Sequence, residues 1–185
     1  MVGNALVRPS EAMGVTPPIR GSYWVVRGRL LAGEYPAAWR DDDSHSRLAA
    51  FHEAGVTSFV DLTEEQEALT PYRPHLRAGT RFVRRAIRDF DCPAPQEMKE
   101  TLDLVDAELD RGETVYVHCW GGRGRTGTVV GCWLVRHGLS GEEALGRIAE
   151  LRRDVPGAGL HSSPETPEQR QLVLAWSAHE RAEQL

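Results

Sequence analysis

His118-Cys119-Trp120-Gly121-Gly122-Arg123-Gly124-Arg125-Thr126-Gly127-Thr128 decides the reading of this chain. The β-prone run Thr114-Val115-Tyr116-Val117 precedes it, and the apolar run Val129 to Val135 follows it. That order predicts a strand, a glycine-rich loop and the first turn of a helix. Such a turn aims several backbone N–H groups into one small bowl, and the positive end of the helix dipole faces the same way. A bowl of amides suits a tetrahedral oxyanion such as phosphate or sulfate. Gly121, Gly122 and Gly124 let the backbone curl around the ion without Cβ clashes. Cys119 stands at one end of the bowl and Arg125 at the other, with five residues between. The field that attracts an anion also favours a thiolate at Cys119. Arg125 supplies a planar fork able to hold two oxygens at once.

The neighbouring chemistry narrows the choice. A Walker A loop needs Gly-Lys-Ser/Thr, which is missing here. A buried cysteine in an ordinary strand-to-helix turn has no need of Arg123 and Arg125 beside the thiol. With His118 before the cysteine and Thr126-Gly127 after the arginine, the loop carries the Cys-x5-Arg signature and resembles the cysteine-dependent protein tyrosine phosphatase superfamily, most closely its small dual-specificity type. Rhodanese-like sulfur transferases have a shorter loop, and low-molecular-weight tyrosine phosphatases carry theirs near the N-terminus.

The resemblance implies roles for particular residues. Cys119 is the nucleophile that forms a phosphocysteine, and Arg125 with the loop amides of Trp120, Gly121, Gly122, Arg123 and Gly124 holds the phosphoryl oxygens. His118 orders the loop and supports the thiolate, and Thr126 hydrogen-bonds it. The family's general acid lies on an upstream loop, after an Ile-x motif and before a proline. Ile87-Arg88-Asp89 followed by Pro93 fits, so Asp89 is preferred and Asp91 is the alternative, the latter better suited to an Asx-turn. A glutamine near Gln169 orients the hydrolytic water in classical relatives. Here Glu165 stands where their motif begins, and Gln169 matches its second glutamine. The arginine and amides do what a cation would do, so neither metal nor other cofactor is expected. A protonated acid and an ionised thiol must coexist, which implies a bell-shaped pH profile.

The remainder of the chain fits this frame. Its 185 residues suggest a single domain, and 41% apolar with 26% charged residues is the balance of a globular protein. A net charge of −5 argues against an extended nucleic-acid face. Three unpaired cysteines and no apolar leader point to a reducing, cytoplasmic setting, and no apolar run is long enough for membrane insertion. Cys92 and Cys132 read as ordinary thiols; a reversible disulfide to Cys119 is the weaker alternative.

Residues 1–21, with Pro9, Pro17 and Pro18, read as an extended arm lying on the domain or partly disordered, ahead of a phosphatase domain over 22–185. Tyr23–Val26 and Leu30–Ala32 predict a hairpin about Gly28, with Trp24 and Tyr35 as packing residues. A helix ends at Gly55, and the adjacent carboxylates Asp41-Asp42-Asp43 read as a solvated run leading into it. Strands are expected at 56–62 and 80–87, a short acidic helix at 64–69, and helices at 96–111, from Ser140, and from Ser163 onward. Pro71, Tyr72 and Pro74 are expected in a loop packed on the surface, with a reach to the mouth of the site as the alternative. Strands alternating with helices predict an α/β fold with a central, mostly parallel sheet and helices on both faces. The Cys119 loop then lies at the carboxyl end of a central strand, where open sheets bind ligands.

The resemblance implies a phosphorylated protein or peptide as substrate, with phosphotyrosine first and phosphoserine or phosphothreonine also expected. Arg123 is an additional cation in the bowl, of the kind that related inositol-phosphate phosphatases carry at the matching position, so phosphoinositides or inositol polyphosphates are the alternative substrates. A phosphate-binding reader without turnover is the alternative of another class.

Overall fold

The computed structural model describes residues 16–37 and 41–182. The order of elements is β1 (Ser22–Val26), β2 (Leu30–Gly33), α1 (Asp41–Glu53), β3 (Ser58–Asp61), β4 (Arg81–Arg84), α2 (Pro95–Asp110), β5 (Val115–His118), α3 (Gly124–Arg136), α4 (Gly141–Leu151) and α5 (Pro167–Ala182). The sheet runs β1-β2-β5-β3-β4. β1 pairs antiparallel with β2, and every other pairing is parallel. The expected hairpin turns at Gly28, whose φ of +70° suits glycine.

Side-chain alternation divides the core in two. Tyr23, Val25, Leu30, Ala32, Val60, Val115 and Val117 face the layer built by α2, α3, α4 and α5. Trp24, Leu31, Phe59 and Tyr116 face the other way, onto Leu48 and Phe51 of α1. Each of the buried Val, Leu and Phe side chains among these contributes about 1.5–3 kcal/mol relative to exposure. Both sheet faces are therefore covered, as parallel strands require. Ile19 is buried in the second cluster, so the end of the N-terminal arm packs onto the domain; the expectation for residues 1–15 lies outside the described residues, as do the side chains of Asp41, Asp42 and Asp43.

Two elements differ from expectation in ways that bear on the site. β4 stops at Arg84 rather than running to Ile87. The chain still bonds to its neighbour beyond that point, Arg85 N–H to Asp61 O (2.8 Å) and Ile87 N–H to Leu62 O (3.0 Å). It bends across the carboxyl end of β3 as it does so, burying Ile87 and carrying the following acidic residues toward the loop after β5. The acidic stretch after β3 is one 3-10 turn, Glu65–Glu67, ended by Ala68 in the left-handed region at φ +53°.

Candidate active site

β5 is the middle strand, and its carboxyl end delivers Cys119 into a loop that enters α3 at Gly124. Every residue of α3 from Gly124 to Val135 is buried, so the helix start is fixed against the sheet. Gly33–Tyr35 brace the loop from beside it: Tyr35 N–H donates to Trp120 O (2.8 Å), and the Thr126 hydroxyl donates to Gly33 O (3.4 Å). Gly122 has φ +65°, and a Cβ there would lie 2.4 Å from the Gly33 carbonyl carbon. Only glycine satisfies both demands.

Cys119, Trp120, Gly121, Arg123, Gly124 and Arg125 line one cleft of about 320 Å³ together with Asp89. Arg125 is buried. Its Nη2 lies 3.0 Å from Asp89 Oδ1 and donates to Glu67 Oε2 at 3.0 Å. Its Nη1 donates to Glu67 Oε1 and to the carbonyl of Ile87 (3.1 Å). Glu67 thus holds the guanidinium as a fork. Burial alone would raise the Glu67 carboxyl, but hydrogen bonds from Arg125 and the Glu64 backbone outweigh it and keep the group below its usual range. Asp89 faces the arginine across the cleft, and Asp91 points its side chain at the backbone N–H of Cys92 (2.8 Å), a turn contact.

His118 lies beneath the loop, fully buried. Its Nδ1 faces Cys119 O (3.2 Å) and its Nε2 faces the Tyr72 hydroxyl (2.6 Å). Burial pushes the imidazole below its ordinary value, against the pull of Asp61, so the ring is neutral. Burial also raises the Tyr72 phenol well above its ordinary value, so it remains a donor. The carbonyl can only accept, which places the proton on Nδ1 and leaves Nε2 to accept from Tyr72. The neutral ring orders the Cys119 backbone by hydrogen bonding and adds no formal charge of its own. Tyr72, expected at the surface, is buried, and its rank in the site had no motif to announce it.

The sign of this pKa shift sets a pH dependence. The unfolded chain protonates His118 near pH 6.5, where the folded chain resists it. Stability should therefore be full above pH 6.5 and decline as pH falls below it. Melting temperatures between pH 7.5 and 5 check this, and His118→Gln should flatten the profile; an unchanged slope in that variant would assign the acid sensitivity elsewhere.

Other residues sit differently from expectation. Arg123 pairs with Glu165, so this cation is engaged. Gln169 is buried with its amide committed: Oε1 accepts from Glu165 N–H and Thr166 N–H, both at 3.1 Å, and Nε2 donates to Asp91 O at 3.1 Å. Arg84 pairs with buried Asp61 (3.0 Å) and Arg85 with Glu100 (3.4 Å). Arg152, at the end of α4, also lines the cleft; it is buried, and its Nε has no hydrogen-bond partner among the described residues. Burial lowers its pKa. The thiols of Cys92 and Cys132 are both raised by burial, which disfavours the thiolate needed for exchange with Cys119. Glu67 and Arg152 escaped sequence reasoning. For Glu67, its place just past the carboxyl end of β3 was the available signal.

Comparisons with known proteins follow the same line. The family model for the polymorphic toxin system DSP-PTPase phosphatase matches residues 36–139. The phosphatidylglycerophosphate phosphatase PTPMT1 of Arabidopsis thaliana is 32% identical over 110 residues, covering 58% of this chain and 32% of that protein. The dual specificity protein phosphatase CDC14B of Mus musculus is 29% identical over 163 residues, covering 84% of this chain and 31% of its own. The chain spans about a third to a half of the first curated relatives it matches. Among solved structures, the active form of Tk-PTP superposes with a TM-score of 0.68 at 27% identity, over 87% of this chain and 97% of that one. DUSP15 shares the fold, with a TM-score of 0.65 at 18% identity over 89% and 94% of the two chains. With more than half its length matched by that family model and its sheet and helices superposing on a tyrosine phosphatase, the chain belongs to the DSP-PTPase phosphatases of the cysteine-dependent protein tyrosine phosphatase superfamily.

Proposed function

We propose that this chain hydrolyses phosphate monoesters of phosphotyrosine, and of phosphoserine and phosphothreonine, in proteins, through a phosphocysteine. The observation that carries this is the meeting of Cys119, Arg125 and Asp89 in one cleft, with Asp89 3.0 Å from the arginine. The Cys119 thiolate attacks phosphorus: the S–P bond forms, the P–O bond to the leaving group breaks, and its electron pair goes to that oxygen. Asp89 gives the oxygen its proton. Water then attacks phosphorus, Asp89 takes a water proton, the S–P bond breaks and inorganic phosphate leaves. Arg125 and the loop amides hold the three remaining oxygens through both steps. Phosphate arriving at the guanidinium takes Nη2 from Asp89, which frees that carboxyl for proton transfer. Three free cysteines, Cys119 the nucleophile among them, fit a reducing cytoplasmic setting, with one phosphatase domain over 22–185. No helix among the described residues is long and apolar enough to cross a membrane.

Asp89→Asn should lower kcat for phosphotyrosine peptides by about 10²–10⁴-fold, the range for loss of a general acid, and should erase the alkaline limb of the pH–rate profile. Asp91→Asn should leave both nearly unchanged. The reverse pattern would move the acid to Asp91.

A second substrate reading rests on Arg152. A buried cation whose Nε has no partner among the described residues, beside the phosphate cup, favours a substrate bearing a second anion, such as an inositol phosphate. Free-phosphate release from phosphotyrosine peptides and from inositol phosphates, with vanadate inhibition as control, tests both readings. Arg152→Met should raise KM about tenfold more for the inositol phosphate than for the singly phosphorylated peptide, if Arg152 holds the second anion by a charged hydrogen bond. Equal changes would discard that role. No phosphate release from any substrate by the reduced wild type would favour a reader.

A further inference from the structure

The mechanism above leaves Gln169 without a part, yet few side chains in the site are more tightly held. It is 0% exposed, and both ends of its amide are bonded. Three elements converge on it. Its Nε2 bonds the carbonyl of Asp91, two residues beyond the general acid. Its Oε1 gathers the N–H groups of Glu165 and Thr166, and Glu165 in turn grips Arg123 of the phosphate loop. Gly124, where α3 begins, packs against the same amide: a Cβ there would lie 3.0 Å from Oε1 and 3.1 Å from Nε2. Lacking a Cβ, Gly124 leaves the room that the amide fills.

The acid segment itself shows why it needs such a tie. Phe90 adopts φ +61°, the left-handed region, and its ring is 60% exposed. A bulky residue in that conformation costs on the order of 1–3 kcal/mol and persists only where the surroundings impose it. Phe90's own ring packs too little to do so. The restraints on either side are Asp89 on Arg125 (3.0 Å), the turn bond from Asp91 N–H to Arg88 O (3.1 Å), and the Gln169 bond to Asp91 O. Substrate phosphate removes the first of these when it takes Arg125. With Ile87 anchoring the chain before Asp89, the bond from Gln169 is then the long-range restraint after it that keeps Asp89 over the leaving oxygen.

We propose that Gln169 is the positioning residue for the general acid: a latch that fixes the Asp89–Asp91 segment over the phosphate cup, in place of a water-orienting role. It rests on the phosphatase reading above. Oε1 accepts from two backbone N–H groups and Nε2 donates to Asp91 O, so the amide is held by the segments it joins, with one N–H of Nε2 beyond those bonds.

The two roles leave different kinetic marks. A latch acts on departure of the leaving group, which governs kcat/KM and depends on how basic that group is. A water-orienting residue acts on breakdown of the phosphocysteine, a step common to all substrates. The test is an aryl phosphate series whose leaving-group pKa runs from about 5 to about 10, the latter being that of tyrosine. It is run on wild type, Gln169→Glu, Gln169→Met and Asp89→Asn. Gln169→Glu keeps the acceptor toward Glu165 and Thr166 and loses the donor to Asp91; Gln169→Met removes both and keeps the volume.

The latch predicts that both Gln169 variants lose about 10–100-fold in kcat/KM at the basic end, the scale of a misplaced catalytic group, and about threefold or less at the acidic end. Adding Gln169→Glu to Asp89→Asn should deepen the dependence no further, because both act on one proton transfer. Hydrogen exchange at the amides of residues 89–92 should quicken in both Gln169 variants, a readout independent of turnover. A uniform fall in kcat with kcat/KM unchanged and a burst of aryl alcohol would overturn the latch in favour of water orientation. A uniform fall in kcat/KM across the series, or unchanged exchange, would overturn it in favour of a purely structural residue. Absence of turnover in the wild type itself would instead overturn the phosphatase reading on which the latch rests.

Discussion

Cys119→Ser should abolish phosphate release while leaving phosphopeptide binding nearly intact. The loss should be on the order of 10⁴-fold or more, the scale on which an enzyme loses its nucleophile. A serine hydroxyl stays protonated at neutral pH, and the adjacent His118 cannot activate it: the ring is turned to the Cys119 carbonyl and Tyr72, with Nε2 already accepting. The position is 2% exposed, so the smaller oxygen fits without displacing the loop. The anion-holding parts are untouched, because the loop is braced through Tyr35 and Thr126 and Arg125 through Glu67. Affinity for a phosphotyrosine peptide should remain within a few-fold of wild type, by calorimetry, and vanadate should compete with it. A serine variant that keeps about a hundredth of the wild-type rate would mean that turnover does not pass through the sulfur, since loss of a nucleophile removes far more.

The cup was legible because its physics is local. Glycines, an arginine and a cysteine between a β-prone run and an apolar helical run fix a loop by sequence spacing alone, and the loop stands where that spacing put it. The parallel sheet and its two covered faces were legible for a similar reason, since side-chain period reports which faces are buried. What escaped was everything set by distance in three dimensions. Glu67 is 58 residues from Arg125, and Tyr72 is 46 from His118. Nothing in the run Thr63 to Tyr72 marks one glutamate above its neighbours; only the chain's passage over the carboxyl end of β3 does. Arg123 shows the opposite error. It reads as an extra cation for substrate because its partner, Glu165, lies 42 residues on and stands out in the sequence only as a departure from a motif. Gln169 stands out in the sequence by its motif, but its partners depend on how the acid segment folds back against α5.

Arg125→Lys should cost about 10²–10³-fold in kcat, the usual effect of removing an oxyanion donor, although charge is conserved. The guanidinium serves two directions at once. One face of the fork is filled by Glu67, and Nη1 also meets the carbonyl of Ile87. Nη2 projects to Asp89, on the side of the cleft where the proposed mechanism puts the phosphoryl oxygens. A lysine ammonium is a point charge on a flexible stem and cannot meet Glu67 in parallel while keeping a second edge for phosphate. It would settle on the carboxylate and withdraw from the cup. Glu67→Gln separates positioning from charge. It keeps the side chain's size, weakens the fork and leaves Arg125 positive, so kcat should fall about tenfold, the equivalent of one charge-assisted hydrogen bond. If the two residues act as one unit, the double variant should lose much less than the product of the single losses. Steady-state kinetics on one phosphotyrosine peptide decides it, with melting curves to confirm that all three variants fold. Fully additive losses would mean that Glu67 acts on catalysis by a route other than holding the arginine.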